Sequence, residues 1–248
     1  MNSESRQILR SDGESGLTEN ELREEVISAA RAMNTHGLNR GTAGNVSARC
    51  RDGFLVTPTG MAYDEILPDD IVFVRKDGTW DGARKPSSEW RFHRDVFEVR
   101  EEAGAILHAH SPFATSLACL NCDIPPFHYM IARFGGNSIR CAEYATFGTQ
   151  ELSENAVAAL FGRCACLLAN HGMLVFGRDL RHVLDLAIEF ETLCEQYWRA
   201  RQIGAPILLS DAEMSRVLEK FANYGQQGAY VADSCGESRG RTESRWSI

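Results

Sequence analysis

The chain has 248 residues, 44% of them hydrophobic and 24% charged, the profile of a globular protein with one large core or two small ones. Its formal net charge of −8 argues against a nucleic-acid partner or docking on an anionic membrane, so an anionic small substrate needs a local site to hold it. The opening stretch MNSESRQILRSDGESG contains no apolar run suited to a signal peptide, and no later run approaches a membrane span, so a cytoplasmic location is expected.

In chain order, residues 1–17 are polar and read as a flexible N-terminal tail. From Thr18 the stretch TENE is a capping box, and Leu22, Val26, Ala29, Ala30 and Met33 mark one face of a helix up to Gly37. The glycine-rich GLNRGTAGNVSAR reads as a loop, followed by strand-like FLVTPTG and DIVFV. PSSEWRFHRDVFEVRE predicts a helix capped by its serines, with Trp90, His93, Val96 and Phe97 at helical spacing. AILHAH predicts a buried strand, and SPFATSLACL a helix with Ser111 as cap and Pro112 in first position. GTQELSENAVAALF predicts another helix, and ACLLANHGMLVFG a strand pair or a bent strand around Gly172. Residues 179–203 predict a long helix with Val183, Leu186, Phe190, Leu193 and Tyr197 inside, and SDAEMSRVLEKFANYG a last helix opened by Ser210. Residues 226–248 have the composition of a flexible C-terminal tail. Strands and helices interleave between the tails, so residues 18–225 read as one α/β domain with helices covering a sheet.

The eight cysteines are Cys50, Cys119, Cys122, Cys141, Cys164, Cys166, Cys194 and Cys235. A chain of this size without a signal peptide is not a disulfide miniprotein, and Cys119–Cys122 is half of a zinc-ribbon spacing with no second half. They read mostly as packing residues.

A strand puts alternate side chains on one face, so His108 and His110 point the same way. Two adjacent imidazoles suit a divalent metal better than core packing, and a catalytic zinc site needs a third ligand and an open position. His171 supplies that third candidate, in a second apolar run that meets a glycine turn, with Glu89 as acid–base partner. His36, His93, His128 and His182 read as structural: His93 and His182 fall on predicted helices and His36 at a helix end. Three polar loops suit a phosphate: GTAGN (41–45), TPTG (57–60) and SSE (87–89). Glycines let backbone N–H groups approach an oxyanion, and Ser87 and Ser88 open a helix whose N-terminus favours one.

These stretches, with HYMIARFGGNSI, YATFGTQELSE and VLEKFANYG, resemble the class II aldolase/adducin family from about Leu22 to Gly225. SSEWRFH and HYMIA…GGNSI…YATFGT are most similar to its fuculose-phosphate-cleaving members. The resemblance implies a three-layer α/β/α sandwich of the class II aldolase type, assembled as a homotetramer with active sites between subunits. It implies one zinc ion per subunit on His108, His110 and His171, with Glu89 as acid–base residue. Phosphate-binding roles fall on Thr42, Asn45, Thr59, Gly60, Ser87 and Ser88. Tyr129 matches the tyrosine that reaches in from the adjacent subunit to protonate the developing alkoxide, and Tyr224 an aromatic position in the aldehyde pocket. The activity implied is reversible cleavage of L-fuculose 1-phosphate to dihydroxyacetone phosphate and L-lactaldehyde, with zinc as Lewis acid. Arg133 and Phe134 replace the family's small residues, and a bulky cation there is expected to narrow or recharge the pocket lip.

Other members remain open as alternatives: a 5-deoxyribulose or related ketose 1-phosphate aldolase, a methylthioribulose 1-phosphate dehydratase, or a ribulose-phosphate 4-epimerase. The epimerases carry an aspartate where this chain has Glu89. A non-catalytic assembly module of the adducin type would have broken metal ligands, and all three are present here.

Overall fold

A computed structural model describes residues 17–222. Most of the expected N-terminal tail, the whole C-terminal tail and Tyr224 lie outside the described residues. Within them, β1 (Asn45–Cys50), β2 (Gly53–Val56), β3 (Val72–Arg75), β4 (Ala105–Ala109), β5 (Arg140–Ala142), β6 (Ala165–Leu168) and β7 (Gly172–Gly177) form one sheet. The strand order is β3-β2-β1-β4-β7-β6-β5. Every neighbouring pair is antiparallel except β5 with β6. The helices are α1 (Glu19–Thr35), α2 (Trp90–Val99), α3 (Pro112–Ala118), α4 (Gln150–Ala159), α5 (Leu180–Ile203) and α6 (Asp211–Ala222).

The period-2 alternation of the strands sorts these helices into two layers. Val46, Ala48, Leu107, Ala109 and Val175 join a core with Val26 of α1, Leu117 of α3 and Phe190 of α5. Phe54, Val56, Ile106, Leu174 and Phe176 join a second core with Phe92 and Val96 of α2 and Leu152 and Ala156 of α4. The result is the three-layer α/β/α sandwich expected from the sequence. Among the described residues no helix is long and apolar enough to cross a membrane.

The helix ends follow the sequence only in part. The capping box of α1 forms, with Glu21 N–H donating to Thr18 Oγ1 and Thr18 N–H to the Glu21 carboxylate. The serines before α2 do not cap it. Glu89 takes the N-cap position without a side-chain bond to the helix, which leaves its carboxylate available for other work. Pro112 opens α3 as expected, but Ser111 turns away and donates to Glu191 Oε2 at 2.6 Å. Glu191 of α5 caps α3 instead, accepting from Phe113 N–H and Ala114 N–H at 2.8 and 2.9 Å. The glycine-rich loop stops at Gly44, because NVSARC already runs as β1.

The ACLLANHGMLVFG segment is a strand pair. Its turn is residues 169–171, with Asn170 at φ 54° in the left-handed region that asparagine tolerates. Cys50, Cys166 and Cys194 are buried packing thiols, whereas Cys119 and Cys122 are exposed. Burial pushes the Cys164 thiol up to about 11, the wrong direction for a reactive thiolate.

Candidate active site

Strand β4 carries His108, and His110 follows just past its end. Because β4 and β7 are antiparallel, the β6–β7 turn with His171 lies at that same end. On the other flank β1 begins with Asn45 paired directly across from His108. Two glycines make this crowding possible. A Cβ on Gly172 would stand 2.4 Å from the Ala109 carbonyl oxygen. One on Gly44, itself at φ +73°, would stand 2.6 Å from the His108 carbonyl oxygen.

The three histidines meet edge to face, with ring centroids 4.7–4.8 Å apart. One ring nitrogen from each lies within 4.8 Å of the others, and His108 Nε2 is 3.0 Å from His110 Nε2. His108 Nδ1–H donates to the Met173 carbonyl at 2.8 Å, which leaves the Nε2 lone pair facing the cluster. Glu89 closes one side, with Oε2 3.3 Å from His108 Nε2 and Oε1 3.2 Å from His171 Nε2. Oε1 is buried and takes no well-directed hydrogen bond. Converging imidazoles beside an under-bonded buried carboxylate are the donor set a divalent metal with an open coordination position requires.

Burial pushes His108 down to about 4, against the opposing pull of Glu89, so the ring is neutral near pH 7. His110 is lowered by burial and by His171. Burial alone would raise Glu89, but His108, His171 and the Asn45 amide outweigh it and hold the carboxyl below its ordinary range. It is a carboxylate at rest.

A cavity of about 330 Å³ opens beside the cluster and is lined by His110, His171 and Glu89. Thr42, Asn45, Thr59, Gly60, Ser87 and Ser88, the six residues expected at a phosphate, also line it. Backbone bonds zip two of the loops together: Thr59 N–H donates to Lys85 O at 3.1 Å and Ser87 N–H to Thr57 O at 3.0 Å. The third, with Thr42 and Gly44, leads into β1. Among the described residues no lysine or arginine lines the cavity, so an anion there meets hydroxyls, amides and the N-terminus of α2.

Tyr129 is not brought to this cavity by its own chain. It is half exposed on a short 3-10 helix, Tyr129–Phe134, in a separate groove with His128, Arg133 and Phe221. Phe134 does not reach a pocket: it is fully buried, its ring tilted against Phe190 at 5.4 Å. Arg133 does stay at the surface of the Tyr129 groove, 3.6 Å from Glu189.

Sequence reasoning missed four cavity residues: Asn170, in the turn before His171, the buried Ala145, and the exposed aromatics Tyr144 and Phe147. It also read His93 as structural. His93 is buried with Nδ1 2.7 Å from Ser47 Oγ and Nε2 2.6 Å from Asn45 Oδ1, and Asn45 Nδ2 donates to Glu89 Oε2 at 2.9 Å. The available signal was the pair of polar residues, Asn45 and Ser47, on one face of a strand whose other face is apolar.

The model of the Class II Aldolase and Adducin N-terminal domain matches residues 24–198, and the chain belongs to that family. It is 56% identical over 204 residues to the 5-methylthioribulose-1-phosphate/5-deoxyribulose-1-phosphate aldolase of Rhodospirillum rubrum, covering 82% of this chain and 92% of that protein. It is 46% identical over 210 residues to the L-fuculose phosphate aldolase of Escherichia coli K12, covering 84% and 98%. A solved structure of L-fuculose 1-phosphate aldolase superposes with a TM-score of 0.79 at 40% identity, covering 82% of this chain and 96% of that one. The chain is therefore a class II aldolase, a lyase of a metal-dependent class, with a three-histidine cluster suited to a metal.

Proposed function

We propose that the chain reversibly cleaves a 5-deoxypentulose 1-phosphate, either 5-methylthioribulose 1-phosphate or 5-deoxyribulose 1-phosphate, with one zinc ion per subunit. The products are dihydroxyacetone phosphate and an aldehyde without a hydroxyl group. The 56% identity to the Rhodospirillum rubrum aldolase carries this reading, against 46% for the fuculose phosphate enzyme. L-Fuculose 1-phosphate, expected from the motifs, becomes the second reading. The cavity chemistry supports the order. L-Lactaldehyde brings a hydroxyl that needs a polar partner, whereas the other aldehydes end in a methyl or a thioether. Tyr144, Ala145 and Phe147 offer a largely apolar wall, and sulfur sits well against aromatic edges.

In the synthetic direction the Glu89 carboxylate takes a proton from the hydroxymethyl carbon of dihydroxyacetone phosphate. The carbon so exposed attacks the aldehyde carbonyl, and the new alkoxide receives a proton from Tyr129 of a neighbouring copy. Cleavage runs the same steps backwards, and Glu89 returns its proton to carbon. A divalent ion on His108, His110 and His171 supplies Lewis-acid stabilisation of the charge that develops as the bond breaks. The hydroxyls of Thr42, Thr59, Ser87 and Ser88, with the helix N-terminus, anchor the phosphate, so remote binding fixes the reacting carbon. Tyr129 is exposed and does not line its own chain's cavity, which supports sites shared between the subunits of a tetramer.

The test is kcat/KM for dihydroxyacetone phosphate release from the three sugars by zinc-loaded protein. The 5-deoxypentulose phosphates are expected to exceed L-fuculose 1-phosphate by about tenfold or more. The reverse order would return L-fuculose 1-phosphate to first place.

A further inference from the structure

We infer that His93 is a positioning residue for Glu89: it fixes which end of the Asn45 amide meets the carboxylate. The inference rests on reading Glu89 as the acid–base group. His93 lies four residues beyond Glu89, one turn into α2, with its ring packed against Phe92 at 4.8 Å and Phe54 at 6.2 Å. Its ring nitrogens meet Ser47 and Asn45, neighbours on the same face of β1, and the Asn45 amide continues to Glu89. All four side chains are buried.

The chain has a direction. A carboxylate only accepts, so the NH2 end of Asn45 must face Glu89. Asn45 Oδ1 then faces His93 and needs a proton on Nε2. A neutral ring with that proton has a bare Nδ1, and the Ser47 hydroxyl donates to it. The ring stays neutral because burial pushes it down to about 3. An apolar residue in place of His93 leaves Asn45 Oδ1 and the Ser47 hydroxyl buried without partners. It also frees the amide to turn its oxygen on Glu89, where two acceptors repel. The second hydrogen of the Asn45 NH2 group is not used in this chain, so the same residue can still face the phosphate side of the cavity.

Nitrogen NMR of the zinc-loaded full-length protein with labelled histidine reads the tautomer directly, with the His93 signal assigned by its loss in His93→Gln. A proton on Nε2 and a bare Nδ1 are expected; a proton on Nδ1 alone, or on both, overturns the inference. In kinetics, His93→Leu should keep one zinc per chain and a KM within about twofold, while kcat falls by about tenfold or more. His93→Gln, whose amide can still donate to Asn45 Oδ1, should recover most of that loss. A merely structural histidine would lower thermal stability in both variants, with neither the kcat-against-KM split nor the rescue.

Glu89→Gln runs beside them. If it turns over normally, the reading of Glu89 fails. If it is inactive while folded, zinc-loaded His93→Leu keeps wild-type kcat, only the role of His93 fails. Should His93→Leu not fold, the tautomer and the glutamine variant decide.

Discussion

Toward α1, α3 and α5, strands β1 and β4 present Val46, Ala48, Leu107 and Ala109, all buried and all apolar. One residue along, toward α2, the same strands present the polar Asn45, Ser47 and His108 beside the apolar Ile106, all buried as deeply. Polar groups at that depth are tolerated only when their hydrogen bonds are made, so that patch of the face is organised by direction and the opposite face by volume. Alternation lets one backbone serve both. The apolar side anchors the strands without regard to angle, and the anchored strands then hold the reactive side chains to within the tolerance that bonds of 2.6–2.9 Å demand.

If the two faces are separable in this way, substitutions on them should fail differently. The largest effect is expected for His110→Ala, which should remove zinc and turnover together while the fold persists, read by metal content, dihydroxyacetone phosphate release and circular dichroism. Full turnover in a zinc-free variant would sink the assignment. Glu89→Gln should retain zinc and lose about 10²–10⁴-fold in kcat. Unchanged turnover there takes Glu89 out of the mechanism. On the opposite face, Leu107→Ala sits beside His108 in sequence but should cost about 2–5 kcal/mol of stability. That corresponds to a Tm lower by roughly 5–15 °C. The folded fraction should keep its zinc and its kcat, and a parallel loss of metal affinity would mean the faces are not independent.

Acid sharpens the contrast from the polar side. The His93 ring takes up its proton at about 3 in the folded chain and near 6.5 in the unfolded one. Between those values the unfolded state binds more protons, so this contribution is complete above about pH 6.5 and is lost as pH falls toward 3, by up to ~1.4 kcal/mol per unit. Denaturant melts of metal-free wild type and His93→Leu across pH 7 to 4 should converge as the pH falls; parallel curves would contradict a ring that is buried neutral. The smallest effect is expected at Arg133. Its partly exposed pair with Glu189 suggests that Arg133→Ala changes stability by under about 1 kcal/mol.

How much of this could be read from the residues alone depended on sequence distance. His108 and His110 share a strand face, and two apolar runs ending in histidine announced where His171 belonged. The loops around Thr42, Thr59 and Ser87 were legible as well, because glycine and hydroxyl residues carry their chemistry locally. Partnerships across the chain were not. His93 looked like an ordinary helix residue because Ser47 and Asn45, which define it, lie 46 and 48 positions away. Glu191 caps α3 from 77 and 78 positions away, so Ser111 seemed to be the cap. The place of Phe134 was not legible, because a bulky residue beside a glycine pair does not say whether it faces a pocket or a core. Strand β5 has three residues, too few for alternation to register.

The most direct test of the central claim is dihydroxyacetone phosphate release from 5-methylthioribulose 1-phosphate by zinc-loaded, chelated and zinc-restored protein. A metal-dependent aldolase built on His108, His110, His171 and Glu89 predicts release that is lost on chelation and regained with zinc. Release that persists in the chelated, metal-free sample would contradict it.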